Sequence, residues 1–240
     1  ENKYFKFKGL NLTLETLDGL LKHNGPYYDF DKLDSIIGVN KFKNKIKFQN
    51  NTSLEAQISS ISDDIAYNNH DIQDGIKAKL FTLNELIEIN FFKEIYKSYK
   101  SNIKRNNKDI IIYQVIRDSI NLMVKDIIKN SIKNINEYKV KKMSDVYTNE
   151  NQTIIFSDKF LSIEAEIKQF LKIKMYNNKN VLKKNNRGKS IIKKLFNKIK
   201  KNPRKFISNK QLSKDKFRAI SDFISGMTDR YAINLNNSIK

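Results

Sequence analysis

The sequence predicts an all-α fold, and three observations lead to that prediction. Only seven glycines and two prolines occur in 240 residues, so the chain has few of the turn residues that many short strands would need. Leucine, isoleucine, lysine and glutamate fill long uninterrupted stretches, and several stretches repeat apolar residues with a helical period. With 39% hydrophobic residues, the chain is long enough to bury one or two cores.

Composition also limits the cellular compartments and the kinds of disulfide or metal site that this protein can have. The chain has no cysteine, which excludes a disulfide framework and a thiolate zinc site and fits a reducing compartment. No signal-peptide pattern is recognisable, and no apolar run approaches the roughly 18 residues of a membrane span. We therefore expect a protein of the cytoplasm or of an organellar matrix, without a membrane partner.

The net charge of +20 could attract nucleic acid, nucleotide phosphates or an anionic surface. Asparagine and lysine recur throughout the chain, as in Asn106-Asn107-Lys108, which is typical of an AT-rich coding sequence. Because charge runs are usually solvated faces, we interpret most of this charge as compositional drift. The basic stretch from Lys179 to Lys205 contains apolar residues at amphipathic spacing, so it fits a packed helix with a basic outer face.

The first predicted helix runs from Thr13 to His23, with Thr13 as its N-cap and Asn24-Gly25-Pro26 at its end. We interpret residues 27–51 as a loop insertion, although the alternation between Phe42 and Phe48 could also form a short strand. The second helix begins at Thr52-Ser53-Leu54-Glu55, where Thr52 and Glu55 have the spacing of a capping box. It runs at least to Asp74, and Ile76 to Leu80 could extend it.

The remaining elements are predicted from the helical spacing of apolar residues and from the places where that spacing is interrupted. Residues 138–157 lack a helical period and are expected to form a connector, in which Thr153 to Phe156 is apolar enough to pack. Further helices are predicted at Leu83 to Lys104, Asp109 to Asn136, Asp158 to Tyr176, Ser190 to Asn202 and Ser213 to about Leu235.

The second helix has two contrasting faces when each residue advances by roughly 100°. An apolar stripe is predicted from Leu54, Ile58, Ile61, Ile65, Ile72 and Ile76. The opposite side, within about 80° of Asp63, carries Ala56, Ser59, Ser60, Tyr67, His70, Asp71 and Asp74. Carboxylates four residues apart repel one another, so this stripe could attract a cation. It could equally be an acidic surface facing the basic segments, and periodicity leaves both possibilities open.

Several blocks of this sequence resemble one known family. The second helix carries Glu55-Ala56-Gln57-Ile58, then Ser62 to Asp71 (SDDIAYNNHD) and Asp74-Gly75. This pattern is similar to the EAQ…DDIAY…HD..DG signature of the dGTPase-like branch of the HD-domain phosphohydrolases. Further blocks resemble the same family in the same order. They are Leu10 to Thr13, Leu17 to Pro26 (LDGLLKHNGP), a weaker block from Ile191 to Pro203, and Asp222 to Ala232 (DFISGMTDRYA). The resemblance therefore spans nearly the whole chain.

The resemblance implies an HD-domain-like helical bundle, of which this chain would be the carboxy-terminal portion. Residues 1–80 would be the last part of the HD catalytic domain, with the insertion at about 27–51, and residues 81–240 the helical HD-associated region. The implied activity is metal-dependent hydrolysis of a dNTP to deoxynucleoside and tripolyphosphate, with Mg²⁺ or Mn²⁺. Family members form symmetric assemblies, so a homo-oligomer is expected.

The resemblance also implies roles for particular residues. The family's metal is held by a histidine, a His-Asp doublet and a later aspartate, and Asp63 matches that last aspartate. Tyr67 and Asp71 match positions that contact the sugar and the triphosphate. Lys22 and His23 fall in a substrate-contacting segment. Two arginines, Arg218 and Arg230, are candidates to meet a phosphate, and ion pairs with Asp222 and Asp229 are the alternative.

The sequence departs from the family in one respect. Its only histidines are His23 and His70, and neither forms the H…HD arrangement, which together with the catalytic acid and base belongs to the family's amino-terminal half. We therefore expect this chain to be a fragment, the product of a split gene or a processed product, and to be inactive by itself. Two other hypotheses are a basic helical module that binds single-stranded nucleic acid through residues 179–205, and a non-catalytic partner subunit.

Overall fold

A computed structural model describes residues 4–7, 9–99, 108–213 and 215–239. Within these ranges every regular element is a helix and no β-strand occurs, which confirms the all-α prediction. None of the helices in this described part is both long and apolar enough to cross a membrane. The residues form two compact units, one ending at Leu171 and the other beginning at Lys172. The family-based boundary near residue 80 stays a prediction.

The first unit is built around a long pair of helices. Its helices are α1 (Leu14–Leu21), α2 (Phe30–Ile37), α3 (Leu54–Lys77), α4 (Leu83–Leu86), α5 (Asn90–Lys97), α6 (Lys108–Glu137), α7 (Met143–Thr148) and α8 (Asp158–Leu171). α3 packs against α6, α8 and α1, and α5 packs against α6. Fully buried side chains such as Ile72, Phe92, Met123 and Phe156 form the core.

The beginnings of α1 and α3 show how local side chains position these helices. Thr13 caps α1 by accepting a hydrogen bond from the backbone N of Thr16 at 3.3 Å, as predicted. The capping box predicted for Thr52 and Glu55 is wrong. Ser53 caps α3 instead, accepting from the Ala56 backbone N at 3.3 Å, because Ser53 is the extended residue directly before the first helical turn.

The buried side of α3 lies where the apolar period predicts, but polar residues share it. Ile65 and Ile72 are buried, whereas Ile58 is 49% exposed, so its assignment to the buried stripe is wrong. The other buried residues of α3 are Gln57, Asn68, Asn69 and Gly75. Near the end of the helix the Phe81 ring packs on Gly75, where a Cβ would lie 2.2 Å from the ring atom Cε1.

Two predicted boundaries in the first unit are wrong. Residues 30–37, expected within a loop, form α2, which is capped by Asp29 through the backbone N of Lys32 at 3.1 Å. No strand forms between Phe42 and Phe48. The helix predicted from Leu83 to Lys104 is divided into α4 and α5, because the capping box of Thr82 and Glu85 starts a short helix that ends before Ile89. Residues 100–104 of that prediction lie outside the described residues.

The connector at residues 138–157 contains α7 and then an extended segment that packs between α3 and α6. Thr153, Ile154 and Phe156 are buried, which confirms that this stretch packs. On the α6 side, Asn134 donates to the Thr153 carbonyl at 3.0 Å and Asn130 donates to the Ile155 carbonyl at 2.9 Å. One turn earlier, Asp126 accepts from the backbone N of Ser157 at 2.8 Å. This hydrogen-bond ladder satisfies backbone groups that would otherwise be buried without partners.

The second unit packs two helices on a long one. Its elements are a π-helical turn (Lys172–Tyr176), α9 (Lys179–Lys201), a 3₁₀ turn (Pro203–Lys205), α10 (Asn209–Leu212), α11 (Lys216–Ser225) and α12 (Asp229–Ser238). α11 and α12 both pack against α9. The core of the unit contains Leu195, Ile199, Ile220 and Ile224.

The ends of the helices in this unit differ from the sequence predictions. α9 begins at Lys179 rather than at Ser190. The single helix predicted from Ser213 to Leu235 is wrong, because Thr228 caps a separate α12 by accepting from the Tyr231 backbone N at 3.3 Å. Arg218 and Asp229 therefore lie on separate helices, α11 and α12. Residue 214 lies outside the described residues.

Candidate functional site

A close approach between α1 and α3 brings two of the family-like sequence blocks together. Gly19 in the LDGLLKHNGP block faces Ala56 of α3, and a Cβ on Gly19 would lie 2.8 Å from the Ala56 Cβ. A methyl group at that distance would push the helices apart. Glycine therefore allows the end of α1 to lie directly beside the polar face of α3.

At this junction the side chains of His23 and Asp63 lie close together. The Nε2 atom of His23 lies 3.8 Å from the Oδ2 atom of Asp63, and both side chains are about half exposed, at 46% and 49%. One turn before Asp63, the Ser60 hydroxyl donates to the His23 backbone carbonyl at 2.5 Å. The structure thus places a predicted substrate-contacting residue beside the predicted metal ligand.

The polar face of α3, defined here as the side that carries Asp63, Tyr67 and Asp71, is open to solvent along most of its length. Tyr67 is 62% exposed, Asp71 is half-buried, and His70 and Asp74 are exposed. The helix places Tyr67 one turn and Asp71 two turns beyond Asp63. Carboxylates, a phenol and an imidazole therefore share one accessible surface.

One acidic residue beside this face already has a basic partner. Asp64 lies 3.2 Å from the Lys168 ammonium of α8, which also lies 2.9 Å from Glu164. Burial by itself would lower the pKa of Lys168, but the hydrogen bonds and charges of Glu164 and Asp64 raise it above its ordinary value. Asp64 therefore behaves as an acidic surface residue that faces a basic segment, which was one of the two possibilities for this helix. Asp63 has only His23 as a partner among the described charged pairs.

Lys22 has a different environment from its neighbour His23. It is buried, with 3% of its surface exposed, and its ammonium lies 2.6 Å from an Asp18 carboxylate oxygen. The same ammonium donates to the Asn51 carbonyl at 3.5 Å. Since a buried ammonium needs a counter-charge, Asp18 accounts for the charge of Lys22 within α1.

A cleft of about 530 Å³ opens beside His23, between α1, the start of α3 and α7. Its lining includes Glu15, Glu55, Ser59 and Tyr147. Burial, followed by the charges of Asp18, Glu15 and Glu55, raises the pKa of the Tyr147 phenol. Sequence reasoning did not single out Tyr147, because residues 138–157 were assigned to a connector and the short α7 was not recognised.

The described residues do not by themselves make a metal site. Among them, no group of three or more His, Asp or Glu side chains is arranged to hold a metal ion. Divalent cations need several convergent oxygen or nitrogen ligands. Asp63 fits one ligand position, with an accessible carboxylate next to an imidazole, and further ligands would have to come from outside the described part of the chain.

Both candidate arginines belong to the second unit. Arg218 makes an ion pair on α11, with its Nε 2.9 Å from the Asp222 carboxylate. Both partners are more than half exposed, so the pair contributes little to stability. Arg230 lies exposed in the first turn of α12. A phosphate contact for either arginine stays a prediction.

Comparison with known families identifies one domain in the chain. Residues 154–238 match the phosphohydrolase-associated domain, which covers α8 and the helices of the second unit. The last part of this helical chain is therefore similar to a domain that is associated with phosphohydrolases.

Individual relatives narrow the class further. The chain is 67% identical over 239 residues to a deoxyguanosinetriphosphate triphosphohydrolase-like protein of Pelagibacter ubique. The alignment covers 100% of this chain and 64% of the relative. Proteins of the same name from Bartonella quintana and Leptospira interrogans are 37% and 34% identical, over 97% and 100% of this chain and 61% of each relative. These comparisons confirm the resemblance to the deoxyguanosinetriphosphate triphosphohydrolase-like proteins that the sequence blocks predicted. The chain spans somewhat less than two thirds of the length of these relatives.

Proposed function

We propose that this chain forms one wall of the active site of a deoxynucleoside triphosphate triphosphohydrolase. In the proposed reaction, water attacks the phosphorus next to the deoxyribose, and a deoxynucleoside and tripolyphosphate are released. The name shared by the relatives supports this substrate class. The assignment to this chain depends on the residues that meet at the junction of α1 and α3.

The contact between His23 and Asp63 carries the proposal. These residues come from two blocks separated by forty residues of sequence, and they meet at 3.8 Å on an exposed surface. Because half-exposed polar contacts of this kind contribute little to stability, the fold does not depend on this contact, and both side chains stay accessible. An accessible carboxylate and imidazole are suited to contact a ligand.

We assign to Asp63 one ligand position for Mg²⁺ or Mn²⁺, because carboxylate oxygens are the ligands that these hard cations prefer. When bound, such a metal supplies polarisation of a phosphoryl oxygen or a lowered pKa of water. The remaining ligands, the catalytic acid and the catalytic base are proposed to come from the portion of the relatives that this chain does not span.

Tyr67 and Asp71 are assigned to the substrate. The Tyr67 phenol is exposed and can stack on, or hydrogen-bond to, a deoxyribose. Asp71 lies one turn further along the same face and can accept a hydrogen bond from a sugar hydroxyl. His23 can donate to a triphosphate oxygen from across the junction.

Lys22 is given a positioning role, which departs from the substrate contact that the resemblance implies. Its ammonium is buried and neutralised by Asp18, so it has little charge to offer a triphosphate. Its contact with Asn51 ties the end of α1 to the residues before α3, which fixes where His23 stands.

The test restores the length that the relatives have. The chain would be joined to the part of the Pelagibacter ubique relative that it does not span, and the products from dGTP with Mn²⁺ or Mg²⁺ would be identified by ³¹P NMR. Tripolyphosphate and deoxyguanosine are expected. Release of orthophosphate or pyrophosphate would overturn the reaction assignment.

Two variants test the role of Asp63. Asp63→Asn removes the charged ligand oxygen while keeping the shape of the side chain, and should abolish turnover and weaken Mn²⁺ binding measured by calorimetry. The matched control is Asp31→Asn, which changes an exposed carboxylate on α2. Equal loss of Mn²⁺ binding in both variants would count against Asp63 as a ligand.

A further inference from the structure

The positive charge of this protein is concentrated in the second unit. Residues 172–240 contain 20 lysines and arginines but only 3 aspartates and no glutamate, whereas residues 1–171 contain 26 basic and 23 acidic residues. Compositional drift acts on the whole coding sequence and would not remove acidic residues from one unit alone. Drift therefore does not account for the charge of the second unit.

Much of this charge lies on one side of α9. The helix contains ten basic residues and no acidic residue. With roughly 100° per residue, seven of them project within about 80° of the direction opposite the buried Leu195. One of the seven, Lys200, lies over the Phe217 ring, 5.2 Å from its centroid. The other six are Lys179, Lys183, Lys189, Lys193, Lys194 and Lys201, and they are called the basic face of α9 below.

The basic face has no counter-charge within the described residues, since none of the ion pairs there involves α9. Lys198, on another side of α9, does have partners. Its ammonium donates to the Asn236 and Ile239 backbone carbonyls at the end of α12. Lys198 thus has a structural role, and the six lysines of the basic face do not.

Packing explains only the second half of α9. The buried residues of the helix are Leu195 and Ile199, while residues 179–190 include no buried side chain. A Cβ added to Gly188 would meet nothing within 4 Å. A solvent-exposed helical segment with repelling lysines is costly by itself, which suggests that an anionic partner covers it.

We propose that the basic face of α9 binds the phosphate backbone of double-stranded DNA. The 23 residues of α9 span about 34 Å, and a helix is about 10–12 Å wide with its side chains. That width matches the major groove of B-form DNA, about 12 Å. Lysines along such a rod can each neutralise a phosphate and release condensed counterions.

The side chains between these lysines favour a duplex over a single strand. Asparagines such as Asn186 and Asn197 accompany them. The one ring of α9, Phe196 at the edge of this face, is partly buried against the core of the second unit and stacked on Phe217. Single-strand binding uses aromatic platforms on which bases stack, and Phe196 is packed within the unit rather than left open as such a platform. Hydrogen-bonding amides and ammonium groups suit the backbone and groove edges of a duplex.

An anionic membrane fits the helix less well. A helix that lies in a membrane interface buries its own apolar side in the lipid. In α9 that side includes Leu195 and Ile199, which are already buried in the core of the second unit. The face left for a partner is charged. The exposed apolar side chains on or beside it, Leu182 and Ile192, are ten positions apart and do not form a continuous stripe.

The experiment measures binding of the 240-residue chain to a fluorescein-labelled DNA duplex of arbitrary sequence by fluorescence anisotropy over a range of salt concentrations. Lys183→Gln, Lys193→Gln and Lys201→Gln would be combined in one variant. Its control combines Lys93→Gln, Lys125→Gln and Lys129→Gln, three exposed lysines of α5 and α6, so both variants lose the same charge. The α9 variant should bind at least tenfold more weakly than the control, and its slope of log affinity against log salt should be shallower by about 0.9 per lost phosphate contact.

Several results would overturn the proposal. These are absence of duplex binding at low salt, equal weakening in the control variant, tighter binding to the single strand of the same sequence, or tighter binding to phosphatidylcholine–phosphatidylserine vesicles. The proposal is independent of the proposed enzyme function, because Asp63→Asn should leave DNA affinity unchanged. Circular dichroism melting checks that both triple variants fold.

Discussion

Gln57 of α3 holds the backbone of Thr153 through its side-chain amide. The amide oxygen accepts from the backbone N of both Thr153 and Ile154 at 3.0 Å, and the amide nitrogen donates to the Thr52 carbonyl at 2.9 Å. Gln57 is 3% exposed. The glutamine of the EAQ block therefore joins the start of α3 to the extended segment that precedes α8.

Gln57→Leu should destabilise the first unit. The leucine keeps most of the volume but leaves two buried N–H groups and a carbonyl without partners, which costs roughly 2–4 kcal/mol. Urea denaturation measures the loss. The matched control is Gln169→Leu on the exposed side of α8, which should change the free energy of unfolding by less than about 0.5 kcal/mol. Similar values for the two variants would show that this contact is not important for stability.

Two glycines inside helices should respond oppositely to alanine. At Gly75 a Cβ would lie 2.2 Å and 2.5 Å from two Phe81 ring atoms, so Gly75→Ala must displace a buried ring and should cost about 1–3 kcal/mol. At Gly188 nothing lies within 4 Å, and Gly188→Ala should stabilise α9 by up to about 1 kcal/mol. Thermal melting monitored by circular dichroism compares the two. A stabilised Gly75→Ala variant would contradict the packing of Phe81.

The sequence was sufficient to predict the fold class and the face of α3 that carries the candidate site. Both follow from residue periodicity, which is a local property. The period of α3 placed Asp63, Tyr67 and Asp71 on one side, and the family blocks indicated that His23 belongs to the same site. Their distance could not be predicted, because it depends on how closely Gly19 allows α1 to approach Ala56.

Other features depended on long-range contacts or on weak local signals. The ladder from Asn134 to Asp126 and the cleft at Tyr147 require residues far apart in sequence. α2 was missed although Asp29 and Gly38 are good cap residues, because its single short amphipathic stretch resembles a charged loop. The break before α12 was missed because Thr228 can cap a helix and can also lie within one.

The phenol of Tyr147 should resist ionisation in alkaline solution. Burial and the charges of Asp18, Glu15 and Glu55 raise its pKa above the ordinary value of about 10. A raised pKa in the folded state means that the unfolded chain releases this proton first. The stability due to Tyr147 is therefore fully present below about pH 10 and is lost as pH rises through the folded pKa. Tyr147→Phe should show a smaller loss of stability above pH 10 in urea denaturation.

Charge neutralisation tests the cause of that pKa shift. Glu15→Gln removes one carboxylate and should lower the Tyr147 pKa partway toward its ordinary value, because burial remains. Glu88→Gln, at an exposed position of the first unit, should leave it unchanged. NMR titration of ¹³Cζ-labelled tyrosine follows the phenol directly. An unshifted Tyr147 pKa in Glu15→Gln would mean that this charge does not reach the phenol.

The pair of Asp18 and Lys22 decides whether Lys22 positions the site or contacts the substrate. Asp18→Asn leaves a buried ammonium without its counter-charge and should cost roughly 3 kcal/mol. Lys22→Met removes the ammonium and keeps the aliphatic packing, so it should cost less, and the double variant should be more stable than Asp18→Asn alone. Urea denaturation gives these values. In the protein extended to the length of its relatives, Lys22→Met should lower the melting temperature and leave the KM for dGTP nearly unchanged. A raised KM with an unchanged melting temperature would instead show that Lys22 binds the substrate.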